Sequence, residues 1–169
     1  MNLNFQQITH KIQSWDQAQH TIQTWKTAGE STVFTNGCFD LLHYGHIHYL
    51  SEAASLGQHL IVGLNSTASV ARLKGKHRPI KDEKSRLHVL ASLEMIDLVV
   101  VFEQDTPLEL IKYLQPDILV KGGDWLPKDI VGSEVVQANG GMVHSLAFVE
   151  GHSTTKLEQK ILAAHDKII

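Results

Sequence analysis

The sequence predicts an α/β fold: a Rossmann-like, doubly wound, five-stranded parallel sheet in a single domain. Three observations carry that prediction. Five short apolar runs, at residues 32–35, 59–64, 97–102, 117–121 and 142–146, alternate with amphipathic stretches of helical period. The second and fourth runs are almost wholly apolar rather than alternating, as strands covered on both faces are. Short turns join them, and no repeat, linker or low-complexity segment interrupts the 169 residues, a length suited to one domain. Right-handed crossovers then give the parallel order.

In chain order, residues 16–28 read as a helix, with Ile22 and Trp25 three apart and Gly29 as its stop. Residues 1–30 are set apart as an N-terminal helical extension, a packing helix or lid on the sheet edge or an arm for oligomerisation, ahead of a main domain at 31–169. The first strand, 32–35, leads into a helix that runs from His43 to about residue 56, burying Ile47, Leu50, Ala53 and Ala54 and ending at Gly57. After the second strand, Asn65-Ser66-Thr67 opens a polar turn and a short helix, followed by the basic loop at residues 72–79. A helix at 82–93 buries Leu87, Leu90 and Ala91. Thr106-Pro107 signals a further helix start, an N-cap followed by proline. The turn Gly122-Gly123-Asp124-Trp125 follows the fourth strand. A helix over 129–138 ends at Gly140-Gly141, and a last one starts within 151–155 and carries Leu157, Ile161 and Leu162.

Composition narrows the function. Hydrophobic residues at 43% and charged residues at 20% are those of a globular protein, and a net charge of −3 argues against a nucleic-acid or membrane surface. The longest apolar run, residues 98–102, is far short of a membrane span, and no basic-then-apolar leader opens the chain. One cysteine fits a reducing compartment, so a cytoplasmic location is expected.

The chemistry gathers around residues 33–46. A strand, a glycine turn at Gly37 and a helix start carrying His43 and His46 put two imidazoles on one face of a helix N-terminus, where free N–H groups and the dipole attract anions. Gly45 leaves room for a ligand. The loop with Arg72, Lys74, Lys76 and Arg78 follows the second strand and emerges at the same carboxyl-end edge, where open α/β sheets bind ligands; it reads as a triphosphate clamp. Ser153-Thr154-Thr155 at the last helix start exceed what capping needs and would hold phosphate from the opposite side. Asp124 is either a turn residue or an acceptor for ribose hydroxyls, and Asp40 either that or a cap. His43, His46 and His48 invite a zinc reading, but only two share a face and no cysteine or carboxylate stands at zinc spacing, so no metal ligands are assigned. Cys38 lacks a base and an orienting partner in sequence, and reads as a small turn residue.

The run Asn36-Gly37-Cys38-Phe39-Asp40 with His43-Tyr44-Gly45-His46 resembles the HxGH signature of the nucleotidyltransferase superfamily. Adding residues 61–66, 72–75, 105–107, 121–124, 130–132 and 150–155, the chain is similar over about residues 30 to 165 to the adenylyltransferase domain of ADP-heptose synthases. That resemblance implies transfer of AMP from ATP, with Mg²⁺, to D-glycero-β-D-manno-heptose 1-phosphate on the route to lipopolysaccharide core sugars. It implies His43, His46 and Lys74 as catalytic, and a nucleotide-binding set of Thr35, Asn36, Gly37, Cys38, Phe39, Asp40, Lys76, Arg78, Gly122, Asp124, Ser153, Thr154 and Thr155. About thirty residues precede the first strand, so the resemblance further implies a stand-alone adenylyltransferase fed by a separate heptose kinase; a closed homodimer is the default oligomer. Thr67, Trp125 and His152 depart from the family, which often has aspartate, tyrosine and an aromatic there. The rival is the glycerol-3-phosphate cytidylyltransferase type, which uses CTP and shares residues 39–46. Phe148-Val149 in place of its Arg-Thr pair, and Cys38 in place of its threonine, separate the two. A non-catalytic nucleotide-binding protein and an aminoacyl-tRNA synthetase fragment are the other classes; the first would lose phosphate-contacting groups that this chain retains, and the second needs a tRNA surface.

Overall fold

A computed structural model describes residues 5–149 and 151–165. The chain enters through α1 (Phe5–His10), β1 (Ile12–Gln13) and α2 (Trp15–Thr27). Ser14 caps α2: its hydroxyl accepts the Gln17 N–H, while the Gln17 side chain accepts the Ser14 N–H. The remaining elements are β2 (Thr32–Gly37), α3 (Tyr44–Ala54), β3 (His59–Asn65), α4 (Thr67–Lys74), α5 (Glu83–Ala91), β4 (Leu98–Phe102), α6 (Leu108–Leu114), β5 (Ile118–Gly122), a 3₁₀ turn at Pro127–Asp129, α7 (Ser133–Ala138), β6 (Met142–Leu146) and α8 (Thr154–His165).

The strands form one parallel sheet in the order β1-β4-β3-β2-β5-β6. Neighbouring residues of each strand enter opposite cores, as the two-residue side-chain period requires. Val33, Leu60, Val62, Val99 and Val120 pack with Tyr49, Leu50 and Ala53 of α3 and with Leu90 and Ala91 of α5. Phe34, Ile61, Val100 and Leu119 pack on the other face with Ala18 and Ile22 of α2, Leu110 and Ile111 of α6 and Val136 of α7. The doubly wound prediction therefore holds. Its topological switch lies between β2 and β5, where a ligand crevice opens at the strands' carboxyl ends.

Two expectations are corrected. The sheet gains a sixth, two-residue strand, because Ile12 and Gln13 pair with Val99 and Val100 at the β4 edge. The helix expected over 129–138 is only α7, since Gly132 sits at its N-cap with φ 92°, a left-handed conformation that breaks the run. Among the described residues no helix is long and apolar enough to cross a membrane.

Candidate active site

A cleft of about 780 Å³ opens at the carboxyl ends of β2 and β5. Asn36, Gly37, Cys38, Phe39 and Asp40 line it in succession as β2 turns toward α3. Thr35 does not reach it. It is fully buried, with its hydroxyl 2.6 Å from that of Tyr49, which donates in turn to the Val120 carbonyl at 3.3 Å. Burial pushes the Tyr49 phenol up to about 12. The left-handed residue of the turn is Phe39, at φ 43°, and not Gly37. Gly37 matters instead for space: a Cβ there would meet the Phe39 ring at 2.9 Å.

His43 stands in extended conformation just before α3, and its backbone N–H donates to Nδ1 of His46 at 3.4 Å. That bond leaves the neutral His46 ring with its proton on Nε2, as a donor. The two rings lie 4.0 Å apart, so they pair as expected, but His43 precedes the helix and does not line the cleft. His46 lines the cleft. Burial, then the neighbouring His43 and Lys74, bring its pKa down to about 4. Burial and His152 also lower that of His43, whose Nδ1 is buried without a hydrogen-bond partner among the described residues. Gly45 admits these rings rather than a ligand: a Cβ there would lie 3.2 Å from both His43 and the His152 Cβ.

The cations of the loop separate by role. Lys74, the last residue of α4, lines the cleft. Lys76 is exposed and lies outside the cleft lining. Arg72 is spent on Asp105 at 2.7 Å and on the Glu103 carbonyl. Arg78 lines the cleft but its guanidinium is held by Asp40 at 3.0 Å and by Glu158 of α8. Asp40 also accepts the N–H groups of Ile80 and Lys81, both at 2.9 Å. Burial alone would raise the Asp40 pKa; these donors together hold it below the usual carboxylate range. Its carboxylate is an anchor for residues 78–81, neither a helix cap nor a free acceptor for a ribose.

Thr154 and Thr155, at the start of α8, line the cleft. Ser153 lies outside that lining and caps, its hydroxyl accepting the Lys156 N–H at 3.2 Å. Gly122 lines the cleft; Asp124 is exposed and does not. Trp125 takes the wall position beside it, with Nε1 donating to the Gly122 carbonyl at 3.1 Å.

Two residues escaped the sequence reading. Arg86 is buried under the site, donating to the carbonyls of Cys38 at 2.9 Å and Asn65 at 2.8 Å and to the Thr67 hydroxyl at 3.3 Å. It knits together the ends of β2 and β3. Its signal was its place four residues before the buried Leu90, on the apolar face of α5. Lys121, the charged residue of the otherwise apolar β5, also lines the cleft, and burial lowers its pKa. No cluster of three histidine, cysteine or acidic side chains fit to hold a metal occurs among the described residues.

The chain is similar to known proteins across most of its length. It is 53% identical over 155 residues to the bifunctional protein HldE of Geobacter metallireducens, a match covering 92% of this chain and 32% of that one. With the protein of the same name from Magnetococcus marinus it shares 54% over 153 residues, 90% of this chain and 31% of that one. The chain thus spans about a third of the length of these relatives. The crystal structure of the lipopolysaccharide core biosynthesis protein from Thermoplasma volcanium superposes with a TM-score of 0.58 at 30% identity, over 73% of this chain and all of that one. A pantoate-beta-alanine ligase from Francisella tularensis, at 14% identity and a TM-score of 0.59 over 87% of this chain and 75% of that one, shares the fold. The cytidylyltransferase-like family model matches residues 34–160, from the core of β2 into α8 and so across every wall of the cleft, and the chain belongs to that family.

Proposed function

We propose that this cleft transfers AMP from ATP to D-glycero-β-D-manno-heptose 1-phosphate, releasing pyrophosphate and giving ADP-heptose for lipopolysaccharide core synthesis. One observation carries the reading. The cleft brings together a neutral histidine donor at the N-terminus of α3, the ammonium of Lys74, and two threonines at the N-terminus of α8. Two helix ends and a cation converging on one space make a polyphosphate cradle. The resemblance of the sequence to ADP-heptose synthases supplies the acceptor and the nucleotide.

In this reading a sugar-phosphate oxygen attacks the α-phosphorus in line and pyrophosphate departs. Such transfers depend on positioning and charge stabilisation rather than on covalent help. His46, held by His43, donates from Nε2 to the α- and β-phosphate oxygens. Lys74 offsets charge on the leaving pyrophosphate, and Thr154 and Thr155 hold the outer phosphates. Arg78, fixed by Asp40 and Glu158, shapes the loop that follows Lys74. Mg²⁺ fits this donor set as an ion borne by the phosphates and water, because the Asp40 carboxylate is already taken by Arg78 and backbone N–H groups. A kinase acting on the sugar's anomeric position supplies the acceptor, in the cytoplasm where ATP is made.

The test is pyrophosphate release from ATP or CTP, each paired with heptose 1-phosphate or glycerol 3-phosphate. Release with ATP and the heptose alone is the expected result. Release with CTP and glycerol 3-phosphate would overturn the substrate assignment and leave the cradle intact.

A further inference from the structure

The cleft spans both faces of the sheet's carboxyl edge, and His46, Thr154 and Thr155 of the polyphosphate cradle stand on one of them. Phe34 of β2 and Leu119 of β5 are paired in register and face the core under α6 and α7. Two residues further along each strand, Asn36 and Lys121 stand on that same face. His46 and α3 stand on the other. The start of α8 also belongs to the α3 side, since His152 packs against His43 and Tyr44 and Glu158 is bound to Arg78.

The half around Lys121 is furnished differently. Lys121 has no hydrogen bond or carboxylate partner among the described residues, and burial disfavours its charge. An ammonium half buried without a carboxylate partner, and with the Cys38 thiol as its electrostatic neighbour, gains most from an incoming anion. Asp129 and Thr106 line the same half with side chains that also lack partners among the described residues, and Ile130 and Pro107 give it an apolar floor. One cation, a carboxylate, a hydroxyl and apolar surface make the complement of a phosphorylated polyol, whereas a triphosphate would meet repulsion at Asp129. In-line displacement also needs the attacking phosphate on the side of the α-phosphorus away from the leaving pyrophosphate.

We infer that Lys121 binds the phosphate of the acceptor, on the α6/α7 side of the sheet, with Asp129 accepting hydrogen bonds from the sugar hydroxyls. This rests on the adenylyltransferase reading given above. It makes Lys121 the residue that demands a phosphomonoester acceptor and leaves nucleotide binding to the other half.

The experiment compares the 169-residue chain with its Lys121→Met, Lys121→Arg and Asp129→Asn variants. Lys121→Met should raise KM for heptose 1-phosphate about tenfold or more, while the Kd of a non-hydrolysable ATP analogue stays within about twofold. Lys121→Arg should recover most of the loss, and Asp129→Asn should raise the acceptor KM with analogue binding unchanged. Thermal melts should show Lys121→Met folded, since it removes a desolvated charge. Loss of analogue binding with an unchanged acceptor KM would overturn the inference. Inorganic phosphate, titrated calorimetrically into the analogue-loaded protein, separates it from the choice of sugar. Lys121-dependent phosphate binding in a protein that ignores heptose 1-phosphate would sustain the subsite and overturn the proposed acceptor. Phosphate binding indifferent to Lys121→Met would overturn the subsite itself.

Discussion

His46 shows how burial sets chemistry at a single residue. Burial, His43 and Lys74 hold its pKa near 4 instead of the ordinary 6.5, so at neutral pH it is an uncharged donor. The sign of the stability effect follows. Between pH 6.5 and 4 the unfolded chain binds a proton that the folded chain refuses, so stability should fall as pH falls through that window. Urea midpoints should show this acid loss flattened in His46→Gln; equal slopes in both proteins would contradict it. A bound triphosphate reverses the balance, and the His46 ring, followed by NMR, should titrate at higher pH with the ATP analogue than without. If His46 stabilises the transition state, His46→Ala should lower turnover about a hundredfold or more. The pairing of His43 with His46 was legible from spacing alone. The commitment of Asp40 was not, because its partners Arg78, Ile80 and Lys81 lie some forty residues away. No local pattern distinguishes a carboxylate facing a ligand from one that fastens a distant loop.

At the scale of elements, the strands were the most legible part. Residues 142–146 were expected and found as β6, and the other principal strands shifted by a residue or two at their ends. Strong apolar runs between glycine and proline signals left little freedom. Ile12–Gln13 could not be read, since two residues carry no period and the strand exists only by pairing with β4, where Val99 N–H donates to the Lys11 carbonyl at 2.8 Å. The loops of the site are fixed by cross-ties instead. Arg86 joins the carbonyls of Cys38 and Asn65, so Arg86→Leu leaves buried acceptors unsatisfied and should destabilise the fold by about 3 kcal/mol in urea unfolding. It should also weaken analogue binding, because the residue 36–40 turn loses its support. Asp40→Asn should free the other tie, and hydrogen exchange at the Ile80 and Lys81 amides should accelerate while the amides of β3 stay protected. Unchanged exchange at those two amides would mean that the anchor is not Asp40.

For the molecule as a whole, the first thirty residues are the decisive segment. Read from sequence, they form an extension ahead of a domain at 31–169. In the fold, Ala18 and Ile22 of α2 are buried in the same core as Phe34, Ile61, Val100, Phe102 and Leu110. Trp15 donates to the Val101 carbonyl at 2.8 Å, and Trp25 stacks on His59 with ring centroids 3.8 Å apart. β1 meanwhile covers the β4 edge, which would otherwise present unpaired backbone groups to other chains. We therefore expect a chain beginning at residue 31 to lose the cooperative unfolding transition of the full chain and to self-associate, its β4 edge and the α2-facing core both laid open. Ile22→Ala is the milder version of the same test, with a loss of about 3 kcal/mol by urea unfolding at unchanged KM for ATP, since the residue lies in the core and not in the cleft. A truncated chain that stays monomeric and melts where the full chain does would show that α2 merely rests on the sheet. The cleft would then owe its geometry to residues 31–165 alone.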